Sequence, residues 1–279
     1  MAIKVVTDST SDIPLELAQE LGLTIVPVYV RFGHTIYRDR IDITPRQFYE
    51  MLSTSPYHPA SSQPTPEDFT RCYEELGGDA EGIVSIHLSS KISGTYNSAC
   101  IASKNLASNC PIEVIDSGTG SAGLALVATA AARAAREGKG LASVLAEAKK
   151  AMNQTKVMGV FESMKYLARS GRVNKSIGAA SQILNIVPLL TFRDGEVVRS
   201  GLARNISRGI DRLYEFVEAR MALLDVVIAH SNIPERAEQL KRRLGWLFPE
   251  DAIRIFDIGA GIGVHIGPGC IIIGVREDI

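Results

Sequence analysis

The stretch Gly82-Ile83-Val84-Ser85-Ile86-His87-Leu88-Ser89-Ser90-Lys91-Ile92-Ser93-Gly94-Thr95-Tyr96 decides the fold class. Its apolar half, Gly82 to Leu88, is short and continuous, as a strand buried on both faces requires. A Ser/Gly-rich turn follows, and a helix-like segment opens at Ser93. Strand, polar turn and helix start, in that order, form the repeating unit of parallel α/β sheets, and the turn is where such proteins bind ligands. A helix start offers free backbone N–H groups and the positive end of the helix dipole, so it suits an anion. Ser93 adds a hydroxyl there, although a serine in that place equally serves to cap its own helix. The segment alone supports both readings.

Working outward, Ile3 to Thr7 reads as a first buried strand, Asp12 as the cap of a short helix from Pro14 to Leu21, and Thr24 to Val30 as a second strand. Thr44-Pro45 and Thr65-Pro66-Glu67-Asp68 carry helix-start signals. Ile112 to Ile115 is a fourth strand. The Ala-rich helix Ser121 to Arg136 either packs closely on a sheet or leaves room for an apolar ligand. The amphipathic segment Leu141 to Met152 crosses to a second domain. There the pattern predicts a strand over Val157–Phe161, helices over Ser163–Arg169 and Ile177–Asn185, and a hairpin turning at Asp194-Gly195 between Leu189–Phe192 and Val197–Leu202. A helix over Ile206–Met221, a strand over Val226–His230, a helix over Pro234–Leu247 and strands over Ile253–Phe256 and Ile271–Val275 follow. The expected architecture is two α/β domains. Residues 1–153 form a three-layer α/β/α domain with a parallel sheet, and residues 154–279 an α/β domain with a mixed sheet.

Composition narrows the function. The 279 residues are 46% hydrophobic and 22% charged, with a net charge of −1, which gives no general attraction for nucleic acid or an anionic membrane. No apolar run is long enough to span a bilayer. The opening Met1-Ala2-Ile3-Lys4-Val5-Val6 enters a strand pattern directly, so a cytoplasmic protein without a signal peptide is expected. Cys72, Cys100, Cys110 and Cys270 lack metal-ligand spacing and read as reduced thiols.

Gly259-Ala260-Gly261-Ile262-Gly263-Val264-His265-Ile266-Gly267-Pro268-Gly269 invites a dinucleotide-binding reading, but no G-x-G-x-x-G frame fits and a strand-like run follows where a helix is needed. These glycines are expected to let a loop pass close to a ligand or to the other domain. His265 in their midst is a candidate functional group, with a satisfied core histidine as the alternative. Ala60-Ser61-Ser62-Gln63-Pro64 and Arg169-Ser170-Gly171-Arg172 are turns with polar or basic groups, which ordinary loop chemistry and dipole compensation also explain. His34, His58 and His87 form no metal pattern, and no metal or cofactor site is predicted. Ser93, His265 and Asp8 supply the residue types of a serine hydrolase, without a G-x-S-x-G elbow.

Taken together, these segments resemble the DegV family of bacterial fatty-acid-binding proteins from end to end. Val6-Thr7-Asp8-Ser9-Thr10-Ser11-Asp12 resembles the family's first strand and loop. Ser61-Ser62-Gln63-Pro64 resembles its Thr-Ser-Gln-Pro turn, with Ser61 in place of Thr. Ser93-Gly94-Thr95-Tyr96 matches its Ser-Gly-Thr-Tyr signature, and Ser170-Gly171-Arg172 resembles its Gly-Gly-Arg turn. His265-Ile266-Gly267-Pro268-Gly269 matches its His-x-Gly-Pro-Gly ending. The resemblance implies a long-chain fatty acid such as palmitate, stearate or oleate in a tunnel between two domains. Ser93, Gly94, Ser61 and His265 would surround its carboxylate. It further implies that Arg172 helps present the ligand to a separate fatty acid kinase, related to dihydroxyacetone kinases, which makes an acyl phosphate for lipid synthesis. The carrier itself would be non-catalytic. A serine esterase or acyltransferase using Ser93 and His265 is the alternative, and a structural or regulatory protein with lipid as a folding ligand is a third. Ser170, replacing a glycine, is expected to restrict the turn before Arg172.

Overall fold

The structure, a computed structural model, describes residues 2–106, 110–162, 164–172 and 186–278. The helix expected over Ile177–Asn185 and the start at Ser163 lie outside the described residues. Strands β1 (Ala2–Asp8), β2 (Leu23–Val26), β6 (Ala80–His87) and β7 (Ile112–Asp116) form a parallel sheet in the order β2-β1-β6-β7. The chain leaves β1 for β2 on one side and returns as β6 on the other. The strand order therefore reverses between β1 and β6, and the crevice beyond their carboxyl ends is the standard place for a ligand.

Alternation along each strand sorts side chains between two cores. Ile3, Val5, Val84 and Ile86 face α1 (Leu15–Leu21), α5 (Ala122–Arg136) and α6 (Leu141–Gln154). Val6 and Ile83 face α3 (Pro66–Gly77) and α4 (Thr95–Asn105). A second, mixed sheet runs in the order β10-β9-β8-β13-β11-β12, from β8 (Thr155–Phe161), β9 (Val187–Arg193), β10 (Glu196–Ala203), β11 (Leu223–His230), β12 (Arg254–Asp257) and β13 (Cys270–Glu277). Its pairs are antiparallel except β11 with β12. The hairpin β9–β10 turns at Asp194 (φ 52°) and Gly195 (φ 80°), the left-handed pair that the Asp-Gly signal demands. One face of this sheet carries α8 (Ile206–Glu218) and α9 (Pro234–Leu244). The other lies on α5, which touches β1 and β6 of the first sheet and β8, β11 and β13 of the second.

Alanine explains that double contact. Every residue of α5 is buried except Arg133, which is intermediate, and Arg136, which is exposed. A β-carbon on Gly123 would sit 2.6 Å from the Val157 side chain, and one on Gly274 of β13 would sit 3.0 Å from the Ala122 carbonyl oxygen, so glycines on both sides let helix and sheet approach closely. The helix thus takes the close-packing role rather than leaving room for a ligand. Burial of Leu124, Leu126 and Val127 stabilises the joint by about 2 kcal/mol each.

Several local expectations are corrected. The predicted strand Thr24–Val30 is two strands, because Pro27 has no N–H for the ladder. After it the chain enters an antiparallel sheet β4-β3-β5, made of β3 (Tyr29–Phe32), β4 (Thr35–Arg38) and β5 (Ala60–Ser62). Asp12 does not cap α1; it closes the short 3-10 turn Ser9–Ser11, its N–H donating to the Ser9 carbonyl. It is left-handed (φ 58°), and α1 begins after Pro14 without a side-chain cap. Helix α2 (Pro45–Thr54) and α3 do start with capping boxes, Thr44 with Gln47 and Thr65 with Asp68. The glycine run is not a loop. It contains a short helix, α10 (Ala260–Ile266).

Candidate functional site

A cavity of about 730 Å³ opens at the reversal point of the parallel sheet, within the range of small-molecule sites. Thr10, after β1, and Leu88, after β6, line it. The five residues singled out from the sequence, Ser61, Ser93, Gly94, Arg172 and His265, line the same cavity. They come from four segments that are remote in sequence.

Ser61 sits in β5, paired with Val30 of β3. His265 sits near the end of α10. Their side chains share a hydrogen bond of 2.7 Å between Oγ and Nε2. His265 is largely buried, its Nδ1 has no partner among the described residues, and burial, with help from Arg172 and His58, holds it down to a pKa of about 4. At neutral pH the imidazole is uncharged.

Ser93 precedes α4 rather than opening it. The helix begins at Thr95 with Gly94 as its cap residue. Ser93 Oγ accepts from Thr95 N (3.2 Å) and shares a hydrogen bond with Thr95 Oγ1 (2.9 Å). The hydroxyl therefore anchors the turn, in a residue that lines the cavity. Gly94 brings the two signature turns together. A β-carbon there would lie 2.9 Å from Gln63 Nε2, so only a glycine lets the Gln63 amide rest against this backbone.

Arg172 is exposed at the cavity mouth and donates to the Ser170 carbonyl (2.6 Å). The turn makes no demand for a glycine at Ser170. Ser170 ends α7 (Met164–Ser170), its hydroxyl donates to Leu167 O and accepts from Arg172 N, and the left-handed conformation falls on Gly171 (φ 65°). Val157, Phe161, Leu190, Phe192 and Ile272 give the cavity an apolar wall on the second sheet.

The cradle that holds α10 was not foreseen. This helix has no side-chain cap of its own. Instead Gly259 N donates to Asp12 (2.8 Å), while Ala260 N (2.9 Å) and Gly261 N (3.2 Å) donate to the two oxygens of Asp39. Ser9 Oγ also donates to Asp39, Ser121 Oγ to Asp12, and Arg40 bridges Asp12 and the Asp257 carbonyl. Burial pushes the Asp12 carboxyl up to about 7, against the pull of Arg40, and raises Asp39 as well. Gly261 and Gly263 permit the approach, because β-carbons there would meet Val28 at 2.4 Å and Phe48 at 2.5 Å. The glycines thus seat a helix against the N-terminal half, and the helix carries His265 to Ser61.

The hydrolase constellation does not assemble. Ser93 bonds to Thr95, and His265 bonds to Ser61. Asp8 is committed elsewhere, accepting from His87 Nδ1 (3.0 Å), whose Nε2 meets Ser85 Oγ (2.7 Å). Ser85, His87 and Asp8 have the order of a catalytic triad, but all three are fully buried and Ser85 is held by Tyr73. Among the described residues no cluster of His, Cys, Asp or Glu could hold a metal ion, and no helix is long and apolar enough to cross a membrane.

A family profile described as the DegV family of uncharacterised proteins matches residues 2–278. The chain belongs to the DegV family. A DegV domain-containing protein of Clostridium perfringens is 32% identical over 273 residues, covering 96% of each chain. A DegV family protein from Thermus thermophilus, described by its fatty acid binding, superposes with a TM-score of 0.89 at 30% identity, covering 100% of both chains. DegV from Bacillus subtilis, described as a fatty acid binding protein, gives 0.89 at 27% identity, again over 100% of both. The two-domain α/β architecture is that of these DegV structures.

Proposed function

We propose that the protein is a non-catalytic carrier of a long-chain fatty acid, with the acyl chain between its two halves (residues 1–153 and 154–279) and the carboxylate among Ser61, Ser93, Gly94 and His265. The observation that carries the reading is one cavity with hydroxyls, a helix start and a buried imidazole on one side and an apolar sheet face on the other. The fatty acid binding described for the Thermus and Bacillus relatives points the same way.

The energetics divide the labour. Burying roughly 15 methylenes at about 0.8 kcal/mol each gives on the order of 12 kcal/mol before the costs of association. A hydrogen bond to a carboxylate adds about 1.5–3 kcal/mol. The tail supplies affinity and the head group supplies orientation, as suits a carrier that presents one end of its ligand. Neutral donors satisfy the buried carboxylate without a fixed cation. Arg172 at the mouth is placed to meet a partner, which we take to be a fatty acid kinase that phosphorylates the presented carboxylate. A base with a pKa near 4 and, among the described residues, no carboxylate to orient it is poorly suited to activating a serine at neutral pH, which weighs against the esterase reading.

The test is denaturing extraction of protein purified from a bacterial host, followed by mass spectrometry. A stoichiometric long-chain fatty acid is expected. Lipid-free protein whose melting temperature does not move with palmitate or oleate would overturn the proposal.

A further inference from the structure

The cavity floor contains a gap. Strand β8 presents Val157, Gly159 and Phe161 to the lumen at alternate positions. Gly159 pairs with Ile272 of β13 on one side and Leu190 of β9 on the other, so this row has aliphatic side chains at both ends and none in the middle. No backbone demand explains the glycine, whose φ is not left-handed, and a glycine weakens a strand interior. Its neighbours do explain it. A β-carbon on Gly159 would stand 2.9 Å from two atoms of the Phe161 ring and 3.2 Å from Ile272 Cγ1. The ring of Phe161 lies back along the strand and fills the space above residue 159.

We propose that Gly159 and Phe161 together set how long an acyl chain the cavity accepts, the glycine keeping the ring down on the floor and the lumen open above it. The inference rests on the fatty-acid reading and adds the residues that limit the length of chain the cavity takes. A methyl group at 159 displaces the ring, because the atoms it meets are the far end of a side chain rather than backbone, and the ring then moves toward the lumen.

The experiment compares affinities for decanoate, laurate, myristate, palmitate and stearate in the wild type, Gly159→Ala, Phe161→Leu and the double variant, with melting temperatures recorded for each. Wild-type affinity is expected to rise about fourfold per added methylene. Gly159→Ala should follow that rise for the short acids and fall at least about tenfold below it for stearate, the scale set by one misplaced methylene in an apolar pocket. Phe161→Leu alone should favour stearate over decanoate more than the wild type does, and the double variant should recover long-chain binding. A Gly159→Ala profile parallel to the wild type overturns the inference, as does an unchanged length preference in Phe161→Leu. Absence of binding of any acid by the wild type overturns the fatty-acid reading itself, and this inference with it.

Discussion

Removing the Asp39 carboxylate tests whether α10 is held from outside. Asp39→Ala strips the acceptor from three buried donors, Ser9 Oγ (2.9 Å), Ala260 N (2.9 Å) and Gly261 N (3.2 Å). The serine can rotate, but the two backbone N–H groups are fixed by the helix. Each buried donor left unpaired costs about 1–3 kcal/mol. Deleting the carboxylate also removes its own burial cost, visible in the raised Asp39 pKa, and offsets part of this loss. The net is a destabilisation of about 3 kcal/mol, which lowers the melting temperature of a chain this size by roughly 5–10 °C. Asp39→Asn keeps one acceptor oxygen and should fall between. Thermal and urea unfolding measure both variants, and palmitate affinity should drop with stability because α10 carries His265. An Asp39→Ala protein that melts within about a degree of the wild type would refute the claim that this carboxylate seats the helix.

The other predictions concern the head group, the titrating groups and the core. Ser61→Ala and Ser93→Ala should each weaken palmitate binding roughly 10- to 100-fold, the value of one hydrogen bond to a charged group, when measured by calorimetry. His265 should titrate near pH 4 in ligand-free protein by NMR, and an ordinary value near 6.5 would remove the buried, neutral imidazole. Asp12 has a folded pKa of about 7 against 3.8 for the unfolded chain, so between these values the folded state binds the extra proton. Its contribution to stability therefore falls as pH rises from about 4 to 7, and Asp12→Asn should lack that decline in pH-dependent urea unfolding. Gly123→Ala places a β-carbon 2.3 Å from Thr119 Oγ1 and should destabilise by about 1–3 kcal/mol through overpacking, read by the same unfolding assay.

Much of this molecule was legible in its sequence because the signals were local. Apolar runs of strand length, the Thr-Pro helix starts and the Asp194-Gly195 turn each report a short-range preference that the tertiary structure leaves in place. The hairpin of β3 and β4 was equally local, with Gly33-His34 between alternating residues, and merging β2 and β3 into one strand obscured it. Asp12 and Asp39 were not legible. Asp12 looked like a helix cap because an Asp before a Pro-led helix usually is one, yet its partners Ser121 and Gly259 lie 109 and 247 residues away. The glycines of α10 misled for a related reason. Glycine argues against a helix by propensity, and only close contact with Val28 and Phe48 makes it the right residue there. The Gly159 gap likewise depends on cross-strand pairing, which no single segment records.

The most direct measurement of the central claim is a carbon-13 NMR spectrum of carboxyl-labelled palmitate bound to the protein. The account predicts one bound carboxyl resonance, displaced from free palmitate, that shifts in Ser93→Ala and in Ser61→Ala and stays in place in Trp246→Ala, a substitution of an exposed residue outside the cavity. No bound resonance, or one that neither serine variant moves, would contradict it.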